Sequence, residues 1–464
     1  MPQPVITAHD ARQISRLLDR PDFVRWAARA RSTGGCAQPV FLKGGVEHVH
    51  TGTGEVLRRY STDGEPDGAL PVACKTRRAS RCPACAEIYR ADTYQLIRAG
   101  LVGGKGVPAT VTAHPAAFVT LTAPSFGPVH SRLLGKGGKP ASCHPRRDAQ
   151  RCPHGVTPSC TVRHGVDDAQ LGQPLCPDCY DYAGSVLFNA MAPELWRRFT
   201  LALRRYLARA AGLTLKEFGQ TLAVSYAKVA EYQRRGVVHF HAVIRFDGPD
   251  GPATSPPAWA TAGLLDAAVR HAAGAVTVTT PEAEGMPARG LAWGPQVDIR
   301  PITSSGTLTD QAVAGYVAKY ATKAAECVGT LDRRLRPNED LDVLPITPHA
   351  RRLITECLRL GALEAFADLR LTAWAHMLGF RGHFSTKSRR YSTTLGALRQ
   401  VRIDFIRAQQ PAWQPGDDQT DGQIIALAEW RFHSQGLTRA EALVTAALTG
   451  KDLPPPNPMN GSLG

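Results

Sequence analysis

A chain of 464 residues with 43% apolar content is long enough to bury two or three cores. Its net charge of +15, without any long apolar run, argues against a membrane protein and for a polyanionic partner. The N-terminus has neither the basic stretch nor the apolar run of a secretory signal, which predicts a cytoplasmic protein. In that reducing compartment, nine of the eleven cysteines falling before residue 180 point to zinc rather than disulfides.

Residues 10–30 read as helical, with Leu17, Leu18, Phe23, Val24 and Trp26 among charges. The turn from Cys82 to Cys85 brings two thiolates to one tetrahedral ion, and Cys74 and Cys36 complete a four-sulfur set. A helix from 84 to 101 is expected to pack on it, and Gly103, Gly104 and Gly106 then break the chain. These glycines lack the spacing and the closing Lys-Ser/Thr of a phosphate-binding loop, so no nucleotide site is expected. Residues 1–110 form a helical, zinc-binding N-terminal region in this reading.

Residues 116–122 read as a strand by their β-branched and aromatic content. A zinc-binding insertion follows at about 128–182, built on the knuckle from Cys176 to Cys179. Five further ligands precede that knuckle, of which Cys152 and Cys160 are favoured. Cys143, His154 and His164 stay open as alternatives, including a two-zinc arrangement. These zincs are expected to be structural, holding loop-rich segments with too few apolar residues to fold unaided.

A helix over 185–211 carries the apolar stripe Leu187, Leu195, Trp196, Phe199 and Leu203. The stretch 222–246 reads as a hairpin turning at Gln233 to Gly236, where glycine suits a tight turn. His239 and His241 are two apart on a strand and share a face. A hairpin centred near Arg235 sets Glu231 opposite His239, so a carboxylate joins the two imidazoles. That set suits Mg²⁺ or Mn²⁺ with positions left for a phosphate.

After a Pro/Gly/Ala-rich loop at 247–262, a helix over 264–273 and a strand over 296–302 are expected. Thr309 and Asp310 cap the next helix, on which Tyr316 and Tyr320, four apart, approach the same metal. Lys319 and Lys323 follow each tyrosine at the same interval and are assigned to phosphate charge or tyrosine deprotonation. The core is therefore α+β, an antiparallel sheet covered by helices on one side, within a domain over 111–335 that carries the histidine and tyrosine segments.

From 341 onward the chain reads helical, giving a C-terminal helical, basic region over 336–464. Residues 381–402 hold six Lys/Arg and no Asp/Glu, with Tyr391 interleaved; Arg381, Lys387, Arg389 and Arg390 are the expected DNA contacts. The helix expected at 369–378, a turn and this basic stretch compose a candidate helix-turn-helix. Residues 454–464, rich in proline, read as a disordered tail.

The segment His239 to Ile244 resembles the second motif of the HUH endonuclease superfamily, histidine-hydrophobic-histidine followed by apolar residues. Val313 to Lys319 and Val317 to Lys323 are both similar to its tyrosine motif, the two-tyrosine version, and the strand Phe118 to Thr122 resembles its first motif. Thr122 to Gly127, Gln233 to His241 and Gly379 to Tyr391 look like RepSA-type replication initiators of actinobacterial plasmids and integrative elements, over most of 30–410.

That resemblance implies an HUH endonuclease core and a tyrosine attack on single-stranded or extruded origin DNA. A 5′-phosphotyrosyl bond and a free 3′-OH for rolling-circle replication would result, with host helicase and polymerase as partners and no membrane. Tyr316 is slightly favoured as the first nucleophile. A relaxase or transposase of the same superfamily is the nearest rival, and a non-catalytic, zinc-containing DNA-binding regulator is the rival from another class. The regulator leaves Glu231, the histidine pair and the two Tyr-Lys frames unexplained together.

Overall fold

Alternating side chains along residues 223–247 fold back as an antiparallel hairpin, Ala223–Tyr232 against Val238–Asp247, with Glu231 paired to His239. This is a computed structural model, and it describes residues 6–148, 150–302, 309–322, 328–408 and 424–453. Gly236 takes φ +77 at the turn, and a Cβ there would sit 2.5 Å from a methyl of Leu353, so the position demands glycine. Asn189, fully buried, clamps the turn. Its amide donates to the carbonyls of Gly236 and Leu378 at 2.9 Å each, and its oxygen accepts from the Val238 amide at 2.9 Å.

The hairpin lies inside a five-stranded sheet ordered Val297–Pro301, Ala116–Leu121, Val238–Asp247, Ala223–Tyr232 and Ser385–Lys387. Every neighbouring pair is antiparallel. One face packs on the long helix Tyr182–Ala210, where Phe240 is fully buried with its ring against Trp196, Trp293 and Phe380. Val119, Leu121, Ala230, Ala242 and Ile244 point to the same side and join that core. The helix Ala262–Ala275 packs on the long helix and on the strand Ala116–Leu121.

The other face carries His239 and His241, and the helix Asp310–Ala321 lies against it. Helices therefore cover both faces, not one. The reason is visible in the tyrosine helix, whose Val313, Ala314, Val317, Ala318 and Ala321 are all buried and need an apolar partner.

The chain divides into two compact units, residues 93–393 and, together, residues 1–92 and 394–464. This grouping differs from three consecutive segments bounded near 110 and 335. The helix Pro348–Gly361 packs on the long helix, and Leu353, Ile354, Phe366, Phe380 and Phe384 bury in the same core as the sheet. In the other unit, the strand Ile424–Gln435 pairs antiparallel with Val40–His50 along its whole length. Part of the expected C-terminal helical region is thus a strand, though helices Leu395–Ala408 and Arg439–Thr449 flank it. The N-terminal helix expected over 10–30 is two helices, Ala8–Leu18 and Phe23–Ser32, with Pro21 between them.

The candidate helix-turn-helix is not formed. Residues 372–377 make a short 3₁₀ turn ending at Leu378 with φ 50, and Ser385–Lys387 is an edge strand paired to Val229, Lys228 and Ala227. The last expected segment, 454–464, lies outside the described residues. Among the described residues no helix is long and apolar enough to cross a membrane.

Lys228 is the exception within the apolar face. Its ammonium stands 3.8 Å from the Phe240 ring centroid and 5.6 Å from that of Trp196, and burial pulls its pKa down to about 7. The unfolded chain binds a proton there up to the ordinary lysine value, so stability should rise as pH climbs from about 7 towards 10. Lys228→Met is expected to stabilise the protein at pH 7 by ~2 kcal/mol and to flatten that rise. Urea denaturation at pH 7 and 9.5 checks both, and a variant no more stable than the parent would contradict the assignment.

Candidate metal and tyrosine site

Three donor atoms converge on the histidine face. Glu231 Oε2 stands 3.0 Å from His239 Nε2 and 3.0 Å from His241 Nε2, and the two nitrogens are 3.1 Å apart. Ligands on adjacent corners of an octahedron ~2.1 Å in radius are separated by ~3 Å, so the spacing suits a Mg²⁺-type ion. The donor chemistry agrees, because three lone pairs aimed at one point repel unless a cation or protons lie between them.

His241 is oriented from three sides. Its Nδ1 is 2.9 Å from the Thr120 hydroxyl, its ring stacks on Phe118 with centroids 5.6 Å apart, and its Nε2 is 3.2 Å from the Tyr316 hydroxyl. Thr120 thus holds the ring by the nitrogen that does not face Glu231, the usual way a ligating imidazole is aimed. Burial pushes the pKa of His241 below its ordinary value, which favours the neutral, ligating form. Burial opposes ionisation of Glu231, but the facing imidazoles outweigh it and hold the carboxyl at about 2.

Tyr316 and Tyr320 share the helix face turned to this cluster, their ring centroids 4.6 Å apart and lying 4.9 and 6.2 Å from that of His241. Thr309 caps the helix by accepting from the Ala312 amide at 3.2 Å. Burial, then the charge of Glu231 and the neighbouring Tyr320, push the Tyr316 hydroxyl well above the ordinary tyrosine range. Lys319 is exposed, with its ammonium 5.5 Å from the Tyr320 ring centroid. Lys323 lies outside the described residues. Phe118 and Thr120 lie in the segment that resembles the first motif but were given no role of their own, although their two-residue spacing on the strand Ala116–Leu121 was a readable signal.

Among the described residues, nine cysteines fall into three clusters, while Cys357 is buried alone in the main core. Cys36, Cys74, Cys82 and Cys85 come together as expected, with Cys36 and Cys82 sulfurs 3.9 Å apart. Cys176 and Cys179 gather Cys152 and His154, while Cys160 leaves the favoured set and joins His130, Cys143 and His164. Local pairing is the cause: His144 bridges antiparallel to Cys160 and so carries Cys143 to it. His130, which no local spacing marks, arrives through the bridge between Val129 and Pro174. Thiolates about 2.3 Å from a tetrahedral zinc stand ~3.8 Å apart, close to the 3.6 Å between Cys152 and Cys176. His164 is further aimed by Asp168 at 2.7 Å.

Of the expected DNA contacts, Lys387 is turned inward, its ammonium donating to the carbonyls of Ser388, Arg389 and Ser392. Arg381 donates to the Asp368 carbonyl at 2.7 Å, Arg390 to that of Pro249, and Arg389 is exposed. Tyr391 is fully buried and donates to the Ile97 carbonyl at 3.1 Å, so it is no phosphate contact.

A family profile described as RepSA, replication initiator protein, pSAM2, matches residues 22–449. A replication initiator protein of Streptomyces ambofaciens is 49% identical over 455 residues, which cover 97% of this chain and 94% of the relative. No solved structure matches the chain. The purified protein is expected to hold close to three zinc ions per chain, one for each Cys/His cluster. Cys143→Ser with Cys160→Ser should lower the count by one while the others persist; elemental analysis showing no such loss would remove the third site.

Proposed function

The chain belongs to the RepSA family of replication initiator proteins, and we propose that it initiates replication of a plasmid or integrative element by nicking one origin strand with a tyrosine. The observation that carries this reading is the Tyr316 hydroxyl standing 3.2 Å from His241 Nε2, beside a carboxylate and a second imidazole. A divalent ion held by Glu231, His239 and His241, Mg²⁺ or Mn²⁺, would supply Lewis acidity to a phosphate oxygen.

Tyr316 keeps its proton at neutral pH, since burial and the Glu231 charge both disfavour the phenolate. Its proton therefore leaves as the phenolic oxygen closes on phosphorus. The bond from phosphorus to the 3′ oxygen breaks, that oxygen takes up a proton, and the 5′ phosphate stays on the tyrosine. The released 3′-OH primes a host polymerase, with a helicase opening the duplex ahead. Lys319, one turn from Tyr316 and exposed, adds positive charge on the side where the phosphate enters. Its neighbour Tyr320 is close enough to receive a second strand end when the round closes.

This reading is tested with a labelled single-stranded origin oligonucleotide and Mn²⁺. Tyr316→Phe is expected to cut the yield of covalent protein–DNA adduct by about 100-fold or more. Tyr320→Phe should spare the first adduct and impair strand transfer to a second oligonucleotide. Mass spectrometry of the nucleotide-linked peptide must find the link on one of these two tyrosines. A link elsewhere, or full adduct yield from the double Phe variant, would overturn the proposal.

A further inference from the structure

A cleft of about 660 Å³ opens between the long helix and the hairpin, on the side away from the metal cluster. Its walls carry Arg197 and Arg204 from the long helix and Arg389 and Arg390 from the segment after the edge strand, with Trp196 and Tyr226 among the residues between them. No aspartate or glutamate lines it. Arg197 pairs with Glu194, whereas no carboxylate lies within ion-pair reach of Arg204, Arg389 or Arg390 among the described residues. Three guanidinium groups without a carboxylate partner, on a cleft that no aspartate or glutamate lines, attract a polyanion.

The chemistry of the lining narrows the ligand. Trp196 is buried, with its ring against Phe199, Tyr226 and Phe240, so it presents no free face on which a base could stack. What the cleft offers is positive charge and guanidinium forks, which suit phosphate oxygens rather than base edges. The alternation of the strands decides which stretch of polyanion this is. Tyr226 shares the sheet face of Lys228 and Ala230, opposite that of Glu231, so the cleft and the nicking cluster are separated by the sheet itself.

We propose that this cleft grips the phosphodiester backbone of the DNA duplex flanking the nick site, independently of sequence. The identity of the polyanion as DNA rests on the function proposed above. The cut strand and the held flank would then engage opposite faces of one sheet, so that the origin must bend around the hairpin edge.

The test compares Arg204→Gln plus Arg389→Gln with a charge-matched control, Arg270→Gln plus Arg359→Gln, whose arginines are exposed and paired to Asp266 and Glu356. Binding to a random-sequence duplex is measured across salt concentrations. The cleft variant should lose up to ~2 units of salt slope, and the control should match the parent. An unchanged slope, or an equal loss in the control, overturns the proposal. The parent is assayed in parallel for adduct formation on a short single strand lacking any flank, so a failure of the nicking reading shows itself separately from a failure of the cleft.

Discussion

The pairing of Glu231 with His239 across the hairpin is the constraint on which the rest depends. A slip of one residue would turn the carboxylate to the Phe240 face and dismantle the donor set. The fold spends several fixed contacts on preventing that slip. Asn189 hydrogen-bonds both sides of the turn, Gly236 admits Leu353 where any side chain would clash, and Arg235 donates to the Ala123 and Pro124 carbonyls. These contacts come from the long helix, from the helix Pro348–Gly361 and from the residues that follow the strand Ala116–Leu121, so the register is set by tertiary structure as much as by the turn.

The two faces of the sheet divide the labour. On one, Phe240 anchors the histidine strand in the main core between the two ligands, which fixes where each imidazole starts. On the other, Phe118 and Thr120 limit how His241 can rotate, and the tyrosine helix brings its hydroxyl to the same nitrogen. Holding three electron-rich atoms within about 3 Å costs free energy in the absence of a cation, and relief of that cost would favour binding of the proposed ion. Tyr316 stays protonated beside this cluster, so in the proposed nicking reaction its attack would depend on an approaching phosphate and its counter-charges rather than on a resting phenolate.

Much of the site was legible because its signals are local. Two-residue alternation places His239 and His241 on one face, the turn centre places Glu231 opposite, and a threonine cap with tyrosines four apart marks the helix. The unreadable parts are set by long-range pairing. Ile424–Gln435 becomes a strand only because Val40–His50 offers its edge, nearly the whole chain away. His130 enters a metal cluster through bridges that bring distant segments together, and Cys160 is drawn from the knuckle by His144. The basic run at 381–402 has the composition of a DNA-contacting helix pair, yet Lys387 and Tyr391 are consumed by internal hydrogen bonds that composition does not reveal.

The central claim is that the hairpin register builds one divalent-metal site beside Tyr316. Electron paramagnetic resonance of Mn²⁺ titrated into the zinc-loaded protein tests it most directly. One bound Mn²⁺ per chain is expected, with coupling to two imidazole nitrogens that falls to one in His239→Ala and with an affinity about 10-fold or more weaker in Glu231→Gln. Equal Mn²⁺ affinity and identical nitrogen coupling in the parent and in both variants would contradict the account.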